Sequence, residues 1–363
     1  MLIPLLLLLQ DAAPPAPAIH TARHYEITLV PADTGTHLLG EVQTSWTLRS
    51  AEPVAALLDS SMRVVRVLVD GKPNTRISRT MYGRSGRDVV VPHQKPAGDS
   101  ISTRIRYHGF ASGDAYLGEG LTGRTFVVGG WLGESHWLPI PPGPAQRVTA
   151  VFHVQAPLDG RAIANGELTK VDTLPYGHAT WTYQLDSAAP LPALAAATGH
   201  WSVSALSPRV EVWAPPGADP KAGPFRRAAE MVEYLAGILG PLPYPRVVHV
   251  AVPGVPAPVA GGGVALSPEK AFGAGGGLDE SAVMRATARQ WLDGAETTLA
   301  DEIAGWLAAE WAAGAPPRQP GRLTELRRRL GETRFREGLR AFVRAQREGR
   351  GAEADFTAAM PQR

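Results

Sequence analysis

Ten histidines and no cysteine are spread over 363 residues, and the last histidine is His249. Thiolate nucleophiles, disulfides and cysteine zinc sites are therefore ruled out. Residues 250–363 offer no imidazole for a metal ion or a proton relay. His20 and His24 have i, i+4 spacing, which on a helix would put both rings on one face. They flank the start of a strand pattern, with no acid between them, so a surface pair near a frayed terminus is expected. Gly118-Glu119-Gly120-Leu121-Thr122-Gly123 spells a dinucleotide pattern. A phosphate-cradling loop must open a helix, so that helix-end N–H groups meet the pyrophosphate. Here Thr125-Phe126-Val127-Val128 continues as strand, and no nucleotide site is expected. Gly133-Glu134-Ser135-His136 lacks the helix-entry glycine of a nucleophile elbow. Asp293, Glu296, Asp301 and Glu302 could supply acid–base chemistry, or they could simply cap and solvate helix ends. No activated nucleophile lies beside them.

The elements that would position such residues fall into two textures. From residue 24 to about 212 the pattern is β. Val42, Thr44, Trp46 and Leu48 alternate, as do Ile101, Thr103, Ile105 and Tyr107, and turn signals such as Asp70-Gly71-Lys72-Pro73 recur between them. An antiparallel sandwich is expected. After Pro215-Pro216-Gly217 the spacing turns helical. Helices are expected at about 225–239, 279–292, 298–312, 322–330, 332–347 and 352–360, with a strand at 247–252 and glycine clusters at 261–263 and 273–277. The domain boundary is expected near Ser207, giving a β-domain over 20–206 and a mostly helical domain over 207–363.

A net charge of +2 gives no argument for a nucleic-acid partner. Residues 318–350 hold eleven arginines against four glutamates. The phasing of Leu323, Leu326, Leu330, Phe335, Leu339 and Phe342 puts most of these arginines on a solvated outer face. The apolar run 2–9 with Ala12, Ala13 and Ala16 behind it reads as the core of a signal peptide. Eight residues are too few for a bilayer, which needs about twenty. An extracytoplasmic protein with no transmembrane span is expected.

Several segments, in order, resemble the membrane alanyl aminopeptidase (aminopeptidase N) family of zinc metallopeptidases. They are His24-Tyr25-Glu26-Ile27-Thr28-Leu29, Trp137-Leu138-Pro139-Ile140-Pro141-Pro142, Ala162-Ile163-Ala164-Asn165-Gly166-Glu167-Leu168, Ala197-Thr198-Gly199-His200-Trp201, Leu239-Gly240-Pro241-Leu242-Pro243-Tyr244-Pro245 and 331–342. The resemblance implies an α+β multidomain fold: an N-terminal antiparallel β-saddle or sandwich, then a truncated thermolysin-like domain. It also implies zinc chemistry from two histidines at i, i+4, a glutamate base beside the first, and a glutamate ligand from the next helix.

The matching helix reads Arg285-Ala286-Thr287-Ala288-Arg289-Gln290-Trp291. Arginine stands at both histidine positions and Ala286 at the base position. Glu302 is the candidate third ligand, although its spacing from Arg289 is shorter than the family's. The family's substrate-gripping strand maps to Gly261, Gly262 and Gly263, without its glutamate. No tyrosine follows Tyr244 to serve as the transition-state residue. A guanidinium has no lone pair for a metal, and alanine cannot activate water.

No metal or cofactor is expected, and the cleft of Arg285, Ala286, Arg289, Glu302 and the three glycines reads as vestigial. An arginine–Glu302 pair could replace the charge of a metal there; equally, both arginines could project into solvent. The leading expectation is an inactive aminopeptidase-like protein that binds an extended peptide or a protein partner by strand addition. A metal-independent hydrolase and a purely structural protein are the alternatives.

Overall fold

The computed structural model describes residues 20–361 apart from 77, 83–85, 111–114, 130–136, 144, 220–222, 273–277 and 316–320. The signal-like run, the Gly133-to-His136 motif and the second glycine cluster lie outside the described residues.

The first half is built on an eight-stranded sheet. Its order is Glu167–Leu174, His178–Pro190, Arg147–Pro157, Thr21–Pro31, His37–Thr47, Ser100–Phe110, Met62–Val69 and Lys72–Pro73. Burial alternates along His37–Thr47 and Arg147–Pro157, so one face packs and the other meets solvent. A four-stranded sheet (Arg161–Ala164, Ala195–Gly199, Gly123–Gly129, Ala115–Gly120) and a three-stranded sheet (Val54–Asp59, Gly86–Val91, Ser78–Tyr82) accompany it. The sandwich is not purely antiparallel. Thr21–Pro31 runs parallel to Arg147–Pro157, with Ile27 opposite Phe152. Alternation reports which face is buried, not strand direction, so the sequence carried no signal for that pairing.

The glycine run at 118–123 turns a hairpin between Ala115–Gly120 and Gly123–Gly129, and 125–128 is strand as read from the sequence. The terminal histidines differ from expectation. His20 is buried, its Nε2 on the carbonyl of Glu52 and its Nδ1 accepting from the amide of Arg49, while His24 meets Thr149 Oγ1 at 2.8 Å. These bonds hold His20 and His24 in place, so the two do not form a loose surface pair.

The second half starts from a five-stranded mixed sheet, ordered Ser202–Ser207, Val210–Ala214, Val247–Val252, Val264–Pro268, Val259–Gly261. Ser202–Ser207 pairs only into this sheet. The central Val247–Val252 is buried at every position, as a parallel strand covered on both faces must be. Among the described residues six α-helices follow: α1 Ala228–Leu239, α2 Glu280–Ala288, α3 Thr297–Ala313, α4 Arg322–Leu330, α5 Glu332–Arg347 and α6 Glu353–Ala359. α2 is shorter than its apolar spacing predicts. After Ala288 the chain tightens into i→i+3 bonds (Gln290 N to Thr287 O, Trp291 N to Ala288 O), which point successive side chains at separate partners. Among the described residues no helix is long and apolar enough to cross a membrane.

Candidate functional site

α2 begins at Asp279, whose carboxylate accepts from the amide of Ala282 at 2.8 Å. Its phase buries Ala282, Val283, Met284, Ala286, Thr287 and Ala288 and leaves Arg285 exposed. Among the described residues Arg285 reaches Ser281 Oγ on its own helix, at 3.3 Å. Arg289 lies half-buried, 3.5 Å from Asp301 Oδ1 and from the carbonyl of Thr297.

Glu302 pairs with neither arginine. α3 turns Leu299, Ala300, Ile303 and Ala304 inward, which leaves 301 and 302 outside. There Glu302 receives the fork of Arg322 from the start of α4, at 3.2 and 2.5 Å, and Arg322 also holds Glu353. Of the two alternatives, an arginine–Glu302 pair is not formed by Arg285 or Arg289; Glu302 is held instead by Arg322, from the arginine-rich segment. Single substitutions Arg285→Ala and Arg289→Ala should each change unfolding free energy by no more than about 0.5 kcal/mol, as exposed ion pairs and surface positions do. Thermal melts of the two variants check this.

The residues at the matched positions do not fit a zinc ion. Two permanently protonated guanidinium groups and an alanine offer no electron pair, and the carboxylate at Glu302 is taken by Arg322. Among the described residues no group of three or more His, Asp or Glu side chains suits a metal.

The glycine run is brought close to the C-terminal turn of α2, but its backbone is already in use. Asn165, fully buried, donates from Nδ2 to the carbonyls of Ala193, Gly261 and Gly262 at 3.0–3.3 Å, and its Oδ1 accepts from the amide of Ala195. Asp293 accepts from the amide of Gly262 at 3.2 Å. Gln290 accepts from Gly263 at 2.8 Å and donates to the carbonyl of Val264 at 3.2 Å. A Cβ on Gly262 would sit 2.5 Å from Asn165 Nδ2, and Gly262 and Gly263 have φ of +62° and +87°. Glycine is needed here for backbone conformation and for the close approach of the two halves.

One polar cluster joins both halves. Arg147 lies 3.2 Å from Asp293, whose other oxygen accepts from the Tyr244 hydroxyl. Burial first, then the Asp293 charge, pushes the Tyr244 hydroxyl well above its ordinary pKa, so it remains a donor. Trp291 donates to the carbonyls of Gly240 and Pro241 at 2.9 and 3.2 Å.

With this geometry the chain can be set beside solved structures. It matches an M1 zinc metallopeptidase from Deinococcus radiodurans with a TM-score of 0.73 and 19% identity, over 94% of this chain and 90% of that one. A glutamate-to-alanine mutant of M1 zinc metallopeptidase from the same organism, bound to a Tyr-Ser-Ala substrate, gives 0.69 and 20% over 95% of each chain. A two-domain M1 zinc metallopeptidase mutant bound to L-arginine gives 0.70 and 20% over 95% and 94%. The chain has the M1 metallopeptidase fold. No protein-family model matches the sequence, and no curated protein matches it. At this identity the likeness establishes the fold alone.

Within that fold, three of the acids that could do acid–base chemistry have other partners: Asp293 holds Arg147 and Tyr244, Asp301 holds Arg289, and Glu302 holds Arg322. Sequence reading missed Arg147, Asn165, Tyr244 and Gln290 as a connected set. Asn165 and Tyr244 stood in motifs with no visible role, and Gln290-Trp291 stood beside the arginines. What joins them is contact across as many as 146 positions of sequence. His249 was also missed; it is fully buried with burial pushing its pKa down to about 4.

Proposed function

We propose that this chain is an exported aminopeptidase-like protein without peptidase catalysis, which acts by binding a peptide or protein partner. One observation carries the reading: α2 presents guanidinium groups at 285 and 289 and a buried methyl group at 286, where hydrolysis through zinc requires two imidazoles and a carboxylate. The engagement of Glu302 by Arg322 supports it, as does the use of the glycine run as a joint between halves. Because Asn165, Asp293 and Gln290 occupy the backbone groups at 261–263, strand addition falls to other sheet edges. Export rests on the apolar run at 2–9.

Metal analysis of the purified protein, together with a fluorogenic aminoacyl-amide assay, tests the proposal. The expected result is substoichiometric zinc and no turnover above buffer. Stoichiometric zinc with turnover abolished by a chelator would overturn it. Turnover that survives chelation and is lost in Glu302→Gln would favour a metal-independent hydrolase instead.

A further inference from the structure

The eight-stranded sheet ends differently at its two edges. One edge is Lys72–Pro73, two residues long with a proline that cannot donate, which pairs only Leu68 and Val69; beside it Met62–Val69 carries a bulge between Val64 and Arg66 that breaks the regular ladder of that edge. The other is Glu167–Leu174, eight residues without proline, whose inner side pairs with His178–Pro190 and whose outer side meets no strand among the described residues. Apolar exposure gathers there. Leu168 and Val171 are 42% and 46% exposed, and Tyr176 in the following turn is 98% exposed.

The strand's sequence is symmetric in chemistry about Val171: Thr169-Lys170-Val171-Asp172-Thr173. We propose that this edge is an interface for a second copy of the same chain, paired antiparallel about a two-fold axis through Val171. In that register Lys170 of each copy lies opposite Asp172 of the other, and the two Val171 side chains face each other. Opposite charges and β-branched pairs directly across an antiparallel ladder are stabilising, and like charges there are destabilising. A two-fold contact must be self-complementary, and a charge sequence that reads plus to minus in one direction meets its complement when reversed.

The register also places the apolar residues together. The inner-side pairing slips between Leu168 and Lys170, a bulge that turns Leu168 onto the face of Val171. Leu168 and Val171 of each copy then flank the axis on one face, and the two Lys–Asp pairs lie on the other. The slip is outside the 170–172 centre, where pairing with Thr182, Trp181 and Thr180 is regular. In a single copy Lys170 and Asp172 satisfy each other at 2.8 Å on the same face. The edge therefore carries no net charge at its centre to repel a second copy. The joined assembly would continue the eight-stranded sheet of one chain into that of the other, leaving at its ends the bulged Met62–Val69 strands with their short Lys72–Pro73 partners.

Sedimentation equilibrium of the full chain tests the interface. The wild type is expected to dimerise reversibly below roughly 100 µM. Lys170→Asp should raise the dimer dissociation constant at least about tenfold, because it sets like charges opposite each other twice. The double variant Lys170→Asp/Asp172→Lys reverses both charges in both copies and should restore the wild-type constant. Circular dichroism and melting of each variant confirm that the fold is retained; both positions are on the surface. A wild type that stays monomeric over this range leaves the strand to some other chain and overturns the proposal. So does a dimer indifferent to Lys170→Asp, or a double variant no tighter than the single one.

Discussion

Asp293→Ala is expected to remove about 3–5 kcal/mol of unfolding free energy, the usual cost of stripping one partner from a buried ion pair. The side chains of Arg147 and Asp293 are 13% and 5% exposed, so Arg147 would be left charged with little access to water. The loss extends beyond that pair: the Tyr244 hydroxyl and the amide of Gly262 would lose their acceptor as well. Because Arg147 comes from the eight-stranded sheet and Asp293 from the turn after α2, the damage falls on the junction between halves. Urea unfolding should show a lower midpoint, and the double variant Arg147→Met/Asp293→Leu should recover much of the loss, since removing both charges relieves the desolvation cost. Glu302→Ala, whose ion pair is exposed, serves as the control and should cost no more than about 1 kcal/mol. A loss at Asp293 no larger than the control's would contradict the assignment.

The second large effect is a pH dependence centred on His249. The imidazole is fully buried between Phe225, at a ring distance of 5.4 Å, and Thr287. The Thr287 hydroxyl donates to the carbonyl of Val283 at 2.8 Å, so it accepts from Nε2–H, which leaves Nδ1 as a buried acceptor with no partner. Burial lowers the folded-state pKa from 6.5 to about 4. A histidine so depressed folds in its neutral form. Its contribution is complete above the unfolded pKa and is lost as pH falls from about 6.5 towards 4, where the unfolded chain binds a proton that the folded one excludes. At about 1.4 kcal/mol per pKa unit, the loss across this window is about 3 kcal/mol. His249→Leu keeps the volume near that of imidazole and removes the bare acceptor. It should leave stability at pH 7 within about 1 kcal/mol of wild type. Carboxylates titrate alike in both proteins, so the difference between their urea-unfolding curves at pH 7 and 4.5 isolates the imidazole. Parallel pH profiles would dismiss the effect.

How much of this was legible in sequence depended on the range of the physics involved. α4 and α5 fall where the apolar spacing puts them, and Val247–Val252 matches its apolar run. The strand expected at 125–128 lies within Gly123–Gly129. α2 is shorter than its periodicity predicts because the turn after it is shaped by the bonds of Gln290 and Asp293 to the glycine run, of Asp293 to Tyr244 and of Trp291 to the carbonyls of Gly240 and Pro241, which helical periodicity does not report. The parallel pairing of Thr21–Pro31 with Arg147–Pro157 was illegible for the same reason.

The chemistry of single side chains was settled by the sequence by itself: no thiolate, no imidazole beyond His249, and guanidinium groups at 285 and 289 that cannot donate electron pairs. Partnership was decided only by the tertiary structure. It gave Glu302 to Arg322 and not to Arg289, set Asp293 into a buried joint, and closed the backbone of the glycine run with Asn165. Donor and acceptor character belongs to each residue type. Which donor meets which acceptor depends on the approach of segments far apart in the chain, set by the packing of the whole core.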